Sequence, residues 1–396
     1  MSTFKVAAAK CKTYEKSEVT KALADLLEPI GGLGDYVKPG QKVLIKPNLL
    51  APRPPETAVT THPALITAIA EAIKKQGALP FIGDSPGGMG ILDSGFSILK
   101  RIEQLWEITG MKQAADASGA TLVNFEKSRF KELELSLGKK KIKIPIAACV
   151  LEDFDVVINV PKFKTHNLTV TTGAIKNMFG VMPGMTKAQF HKVAPKKEDF
   201  SILMVALFNQ VVPQLNIMDG IIGMEGEGPG SSGTPIATGF LLAADNALAM
   251  DIIQASIMGI ALEKAPVIAA AIKAGLGPKT LAEIDLQGAS LAELKPAKFV
   301  LPPSSNLDKI PDFLFTFLSY IARFIRLTNP IVNDELCTRC QICVKNCPVK
   351  AIENKNNRIH VDYKNCIECF CCIELCPAKA MTIKKSWLLK LAEKKG

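Results

Sequence analysis

The chain has 396 residues, 48% of them hydrophobic, which suits two or three domains with a large core. Its formal charge is +10, and only 6% of its residues are aromatic. The charge favours anionic partners such as acidic redox proteins, carboxylated or phosphorylated substrates, nucleic acid or a membrane surface. So few aromatics argue against a broad base-stacking surface, and no specific nucleic-acid motif is present. The first ten residues carry lysines at positions 5 and 10, too soon for a secretory signal. No run of 18 uncharged apolar residues occurs, so no transmembrane span is expected.

In chain order, residues 1–300 read as alternating strands and helices. Phe4–Ala9 is a strand, and Ser17–Leu27 a helix with Ser17 as its N-cap. Lys42–Lys46 is an apolar strand running into Pro47-Asn48. His62-Pro63 opens a helix that ends before Gly77. Leu79–Gly83 is the next strand. Helices follow at Leu99–Ile108 and Met111–Ser118, then a strand at Thr121–Phe125. Phe130–Pro145 reads as a hairpin turning at Gly138-Lys139. Phe154–Val160 is a strongly apolar strand and Ser201–Val212 a helix. Leu215–Met218 reads as a strand ending at Asp219-Gly220, followed by a glycine-rich loop over Gly223–Gly233. Phe240–Ala243 is a strand and Asn246–Ile260 a long apolar helix. Continuous apolar strands alternating with helices indicate an α/β fold, a mostly parallel sheet covered by helices. Pro296–Ser305 marks a boundary, and Pro311–Arg326 an apolar helix that suits docking between domains or peripheral contact with a membrane.

Four strands end in distinctive polar sets: Lys46 and Asn48; Asp84 and Ser85 with the glycines that follow; Lys162, Lys164, Thr165, His166 and Asn167; and Asp219, Glu225 and Glu227. Ligands of open α/β sheets bind beyond the carboxyl ends of the strands, which is where parallel strands would bring all four sets. Lys162, Lys164 and His166 alternate, so an extended segment points them the same way. Two ammonium groups and an imidazole on one side call for an anion, although a solvated basic edge has the same letters. Lys176 and Asn177 follow at the start of a helix over Thr171–Gly180, expected to have free N–H groups. His62 suits either a general acid/base or a helix start. Glu225 suits a proton donor, a metal ligand or a solvated loop. His191 and His360 read as solvated, and Cys11 and Cys149 as buried thiols.

Nine of the eleven cysteines fall between Cys337 and Pro377. They form two like runs, Cys337-x2-Cys340-x2-Cys343-x3-Cys347-Pro348 and Cys366-x2-Cys369-x2-Cys372-x3-Cys376-Pro377. A cubane iron–sulfur cluster takes four thiolates, and this is the bacterial spacing in which the fourth cysteine serves the other cluster. The expected ligands are Cys337, Cys340, Cys343 and Cys376 for one 4Fe–4S cluster, and Cys366, Cys369, Cys372 and Cys347 for a second. Zinc rarely uses eight cysteines at such spacings. A disulfide framework needs an oxidising compartment. Cys371 is an additional thiol, read as a non-ligand.

Over residues 331–385 the chain closely resembles the two-cluster ferredoxins, which implies a small α+β ferredoxin-like domain. Lys46-Pro-Asn48, Thr61-His-Pro63, Gly83-Asp84, Val160-Pro-Lys-Phe-Lys-Thr-His166, Ile175-Lys-Asn177, Asp219-Gly220, Met224-Glu-Gly226 and Ala244-Asp245 resemble the domain of unknown function 362 family. That likeness spans roughly residues 40–260. It implies a fold and a place for a site, and no general reaction.

The expected organisation is an α/β domain over 1–300, a linker with the apolar helix over 301–330, the cluster domain over 331–385 and a basic tail over 386–396. The expected function is electron transfer between a low-potential redox partner protein, the clusters and a small anionic substrate in the cytoplasm. Lys46, Asn48, Asp84, Lys162, Lys164, Lys176 and Asn177 are its candidate binding residues. His62, His166 and Glu225 are the candidate proton donors, since reducing most organic bonds consumes protons as well as electrons. The alternative is a non-enzymatic electron-transfer adaptor that docks to a partner redox enzyme.

Overall fold

The computed structural model describes residues 4–87, 98–302 and 328–387. Gly88 to Gly90 of the second polar set, the apolar segment Pro311–Arg326 and the tail from residue 388 lie outside the described residues.

One large mixed sheet organises residues 4–288. Its strands in chain order are β1 (Phe4–Lys10), β2 (Lys42–Pro47), β3 (Leu79–Asp84) and β4 (Thr121–Asn124). The separate hairpin β5 (Phe130–Leu137) and β6 (Lys140–Ala147) comes next, then β7 (Val156–Val160), β8 (Lys162–His166) and β9 (Val170–Thr171). The sheet is completed by β10 (Leu215–Gly226), β11 (Gly233–Ala244) and β12 (Ile284–Gly288). The spatial order is β12-β1-β11-β10-β7-β2-β3-β4, with β8 against β10 and β9 against β8. β4, β3, β2, β7 and β10 run parallel, which brings their carboxyl ends to one edge. β11 is antiparallel to both β10 and β1.

Helices cover both faces because successive strand side chains point to opposite sides. Leu44 and Val157 enter one apolar core with the helices Lys197–Phe208 and Ala247–Met258. Val43, Ile45, Val156 and Ile158 enter the other, with Lys16–Leu27 and Pro63–Lys75. Full burial of each such side chain contributes about 2 kcal/mol.

Three local expectations are corrected. The first helix starts at Lys16, with Glu15 at the cap position and no side-chain cap bond, so Ser17 lies inside it. β10 does not stop at Met218. It continues to Gly226, and the expected glycine-rich loop is two arms of a long hairpin with β11, paired from Asn216↔Ala244 to Gly226↔Gly233. The hydrophobic pattern hides this because Asp219 interrupts it while the backbone ladder persists. The helix Gly173–Asn177 does not present free N–H groups, since Asp251 accepts from Ala174 N (2.5 Å) and Ile175 N (3.1 Å).

The C-terminal region pairs β13 (Thr328–Val332) with β16 (Met381–Lys385), and β14 (Ile352–Lys355) with β15 (Arg358–Val361), both antiparallel. Two short helices, Ile342–Lys345 and Cys371–Leu375, pack with these pairs around Ile352, Ile359, Phe370, Ile373 and Met381. The whole is a mostly parallel α/β sheet with a small α+β region at the C-terminus.

Candidate functional site

The polar strand ends divide into a part whose charges are matched internally and a part that opens onto a cavity. In the matched part, Lys46 Nζ lies 2.7 Å from Asp84 Oδ1, both side chains almost fully buried. The contact is an ion pair and not an aligned hydrogen bond, since Asp84 Oδ1 has no hydrogen-bond partner among the described residues. Burial drives Lys46 down and Asp84 up, against their mutual attraction. Lys162 Nζ lies 2.7 Å from Asp219 Oδ2, with both side chains 0% exposed. Tyr14 joins this pair: its hydroxyl donates to Asp219 Oδ1 (2.8 Å) and accepts from Lys162 Nζ (2.9 Å). Burial and the Asp219 carboxylate push the Tyr14 phenol well up. The anion that Lys162 called for is therefore supplied by the protein itself.

His62 belongs to the same knot. Its ring stacks on Tyr14 with centroids 3.5 Å apart, and its Nδ1 caps the following helix by accepting from Ala64 N (3.2 Å). Its backbone N–H donates to Asp219 Oδ2 (2.9 Å). Burial pulls its pKa down to about 4.

Lys164 Nζ donates to Asn48 Oδ1 and to Val59 O, both at 2.7 Å. Asn48 Nδ2 donates to Asn177 Oδ1, Asn177 Nδ2 to Asn159 Oδ1, Asn159 Nδ2 to Asn216 Oδ1, and Asn216 Nδ2 to Ala244 O. This chain of amides, every member donating in the same sense, holds Asn48 Oδ1 towards Lys164. Burial, then the charge of Lys176, pushes the Lys164 ammonium well below its ordinary range.

The open part is a cavity of about 320 Å³ lined by Asn48, Asp84 and His166 from the strand ends and by Lys176, Asn177 and Lys187 from the helices Gly173–Asn177 and Gly184–Val193. Lys345, Cys347, Pro348, Cys371 and Glu374 line it from the C-terminal region. His166 Nδ1 accepts from Leu168 N (3.0 Å), so the neutral ring carries its proton on Nε2. That Nε2 lies 3.5 Å from Glu374 Oε1. Burial, then Lys176, holds the His166 ring well below the usual imidazole range. Lys176 forms no hydrogen bond or ion pair among the described residues, and its ammonium lies 5.9 Å from the Phe179 ring centroid. Burial lowers its pKa, with Glu374 opposing. Lys187 donates to Ser85 O and to Pro86 O (3.1 Å), and burial brings its pKa down to about 8.

Not every candidate meets this cavity. Glu225 accepts from Val300 N (2.7 Å) at the far end of β10 and does not line it. His191, expected as solvated, does line it, buried against Phe200 with ring centroids 4.6 Å apart. Burial brings its pKa down to about 3. The helix Gly184–Val193 folds the lysine-rich insert back over the sheet, so local charge did not decide its burial. His360 is exposed, and Cys11 and Cys149 are buried.

The cysteine runs repeat in space as in sequence. Each cysteine of the second run lies 29 positions after its counterpart, from Cys337 and Cys366 to Cys347 and Cys376. The left-handed residues keep that offset: Arg339, Gln341 and Lys350 (φ 56°, 59°, 54°) match Glu368, Phe370 and Lys379 (φ 53°, 59°, 54°). None is glycine, and such a conformation costs about 1 kcal/mol or more per residue. Loops that accept this strain twice, at equivalent places, are shaped around something that repays it. Ala351 N donates to Cys347 Sγ and Ala380 N to Cys376 Sγ, each at 3.2 Å. Cys337, Cys340, Cys343 and Cys376 line one small cavity. Burial and its three neighbours Cys340, Cys376 and Cys337 push the Cys343 thiol up to about 11. Cys372 is pushed well up by burial and then by Cys369, Cys366, Cys343 and Cys347. Thiols that raise one another's pKa in this way fit a shared group of positive iron ions. Cys371 occupies the place of Ile342 in the repeat and lines the larger cavity.

Sequence reasoning passed over Tyr14, Asn159, Asn216, Asp251, Lys187 and Glu374. Asn159 and Asp251 do leave a trace, each a lone polar residue inside an apolar strand or helix.

Comparison with known proteins gives two family matches. Residues 43–256 match Domain of unknown function (DUF362), and residues 329–377 match the 4Fe-4S dicluster domain. The thylakoid-associated protein sll1697 of Synechocystis sp. is 32% identical over 328 residues, covering 81% of this chain and 96% of that protein. A crystal structure of a Thermotoga maritima protein from the Northeast Structural Genomics Consortium covers 54% of this chain and 52% of its own. Its identity is 13% and its TM-score 0.34, too low a likeness to carry an argument.

Proposed function

The chain belongs to the DUF362 family and carries an iron–sulfur domain of the ferredoxin type, and we propose that it moves electrons to or from a small anionic substrate held between the two. The observation that carries this reading is the shared cavity. His166 and Lys176, from the strand ends, line it together with Cys347 and Cys371, from the cysteine runs.

Two 4Fe–4S clusters are assigned. Cys337, Cys340, Cys343 and Cys376 hold one, and Cys366, Cys369, Cys372 and Cys347 hold the other. When bound, each supplies one-electron transfer at low potential. The protein's own residues supply the rest. Lys176 attracts the anion, and Asn48 and Asn177 shape the wall beside it. His166 holds a proton on Nε2 at the cavity surface. His62 faces Tyr14 and Glu225 faces Val300, so the proton role rests on His166. Lys46 and Lys162, matched by Asp84 and Asp219, stiffen the strand ends instead of binding the substrate.

The test is anaerobic reconstitution with iron and sulfide, chemical reduction, and visible absorbance to follow reoxidation by a panel of small organic acids. At least one acid should accelerate reoxidation, and Lys176→Met should abolish that acceleration. A panel without effect on the wild-type protein removes the substrate from the reading.

A second reading is an electron-transfer adaptor, favoured by the exposure of Cys340, which would place one cluster edge within reach of a docked redox protein. Anaerobic pull-down of one stable redox partner would support it. Among the described residues no helix is long and apolar enough to cross a membrane. A cytoplasmic location is proposed, and the thylakoid association of the relative makes peripheral membrane contact the alternative. Salt washing of isolated membranes separates the two.

A further inference from the structure

Three groups facing the cavity lack a complement. Lys176 carries an ammonium with no hydrogen bond or ion pair among the described residues, only the Phe179 ring at 5.9 Å. His166 has its Nδ1 occupied by backbone N–H groups, so its Nε2–H is left to face the cavity. Glu374 Oε1 is buried without a hydrogen bond among the described residues, with His166 Nε2 3.5 Å away. Burial makes each of these costly to leave unmatched.

We propose that the cavity binds a small carboxylic acid that also carries a hydrogen-bond donor, a hydroxyl or an ammonium, with its carboxylate on Lys176 and His166 and its donor on the Glu374 carboxylate. This rests on the substrate reading above and names the chemical class.

The surroundings select this class over larger anions. Two of the donor sets near the cavity are already engaged: Asp251 accepts from Ala174 N and Ile175 N, and Lys187 donates to Ser85 O and Pro86 O. The Glu374 carboxylate in the same space opposes a second negative charge. A volume of about 320 Å³ stands at the small end of ligand pockets and leaves no room for a dinucleotide. Nor does the remainder of the strand-end surface compete for the anion, because Asp84 and Asp219 already answer Lys46 and Lys162.

Cys371 provides the readout, since it lines the cavity and is not among the assigned ligands. The iron-loaded protein is treated with iodoacetamide, and alkylation of Cys371 is followed by peptide mass spectrometry. Acetate, glycolate and glycine compete; they share a carboxylate and differ in bearing hydrogen, hydroxyl or ammonium beside it. Glycolate or glycine should protect Cys371 at concentrations about tenfold lower than acetate, because a buried acceptor discriminates strongly for its donor. Lys176→Met should remove protection by all three. Glu374→Gln should remove the advantage over acetate, with acetate itself protecting at least as well as before. If acetate protects as well as the other two, the donor inference fails and the anion site stands. If none protects and Lys176→Met changes nothing, the anion site fails and the substrate reading with it. A Cys371 that resists alkylation throughout overturns the open cavity. Should Glu374→Gln lose iron, the three-acid series on the unmodified protein decides alone.

Discussion

Lysines at the strand ends do two different jobs within one polar surface. On the closed side, Lys46 and Lys162 each meet a buried carboxylate at 2.7 Å. On the open side, Lys176 meets a cavity wall and the Phe179 ring, with no ion pair among the described residues. The cysteines differ in a similar manner, Cys372 grouped with four other thiols and Cys371 lining the cavity beside Cys369. A buried pair adds little net stability, yet removing one partner strands the other. Damage on the closed side should therefore appear as lost folding or lost iron, and damage on the open side as lost ligand.

The largest contrast is expected in the cysteine pair. Cys372→Ser should lose about half the iron of the reconstituted protein, because a cubane needs its full set of thiolates, while Cys371→Ser keeps it. Iron analysis and the visible spectrum report both; equal losses would erase the distinction.

Asp219→Ala should come next. It leaves Lys162 buried and Tyr14 without its acceptor, at about 3–5 kcal/mol, read from the denaturation midpoint. A cost below about 1 kcal/mol would show that the pair is not closed.

His191 gives a comparable effect through pH. Its folded pKa, pulled down to about 3, lies below the ordinary value of about 6.5. Between these values the unfolded chain takes up a proton that the folded chain refuses. Its contribution is thus complete above pH 6.5 and falls as pH drops towards 3, by roughly 3 kcal/mol at pH 4. His191→Phe, which keeps an aromatic ring against Phe200, should flatten that part of the stability profile. An unchanged slope would place the ring in solvent.

Gly180→Ala should cost about 1–3 kcal/mol, since an added Cβ would strike Asp84 Oδ1 and lie 2.5 Å from Lys46 Nζ. Smallest of all, Lys176→Met should change stability by less than about 1 kcal/mol, with no ion pair to break among the described residues, while removing anion protection of Cys371. A large loss of stability there would move Lys176 to the closed side.

Much of the frame was legible from the sequence. Apolar runs such as Val43-Leu-Ile45 and Val156-Val-Ile158 identified parallel strands because strands buried on both faces admit little else. The extent of β10 was not legible, because backbone pairing with β11 carries it past Asp219 and Gly220, where side-chain pattern signals an end. His191 was misread for a related reason: the lysines around it describe one helix face, and burial was decided by the face that meets Phe200.

The cysteine spacing, local along the chain, by itself determined that this protein binds iron–sulfur clusters, and the strand-end motifs determined the family. Which lysine is matched and which faces a cavity was decided only by tertiary structure. Asp84 and Asp219 come from other strands than the lysines they answer, Asp219 lying 57 residues from Lys162. A charge acquires its role from the partner that folding brings within a few ångströms, and no spacing along the chain records that distance.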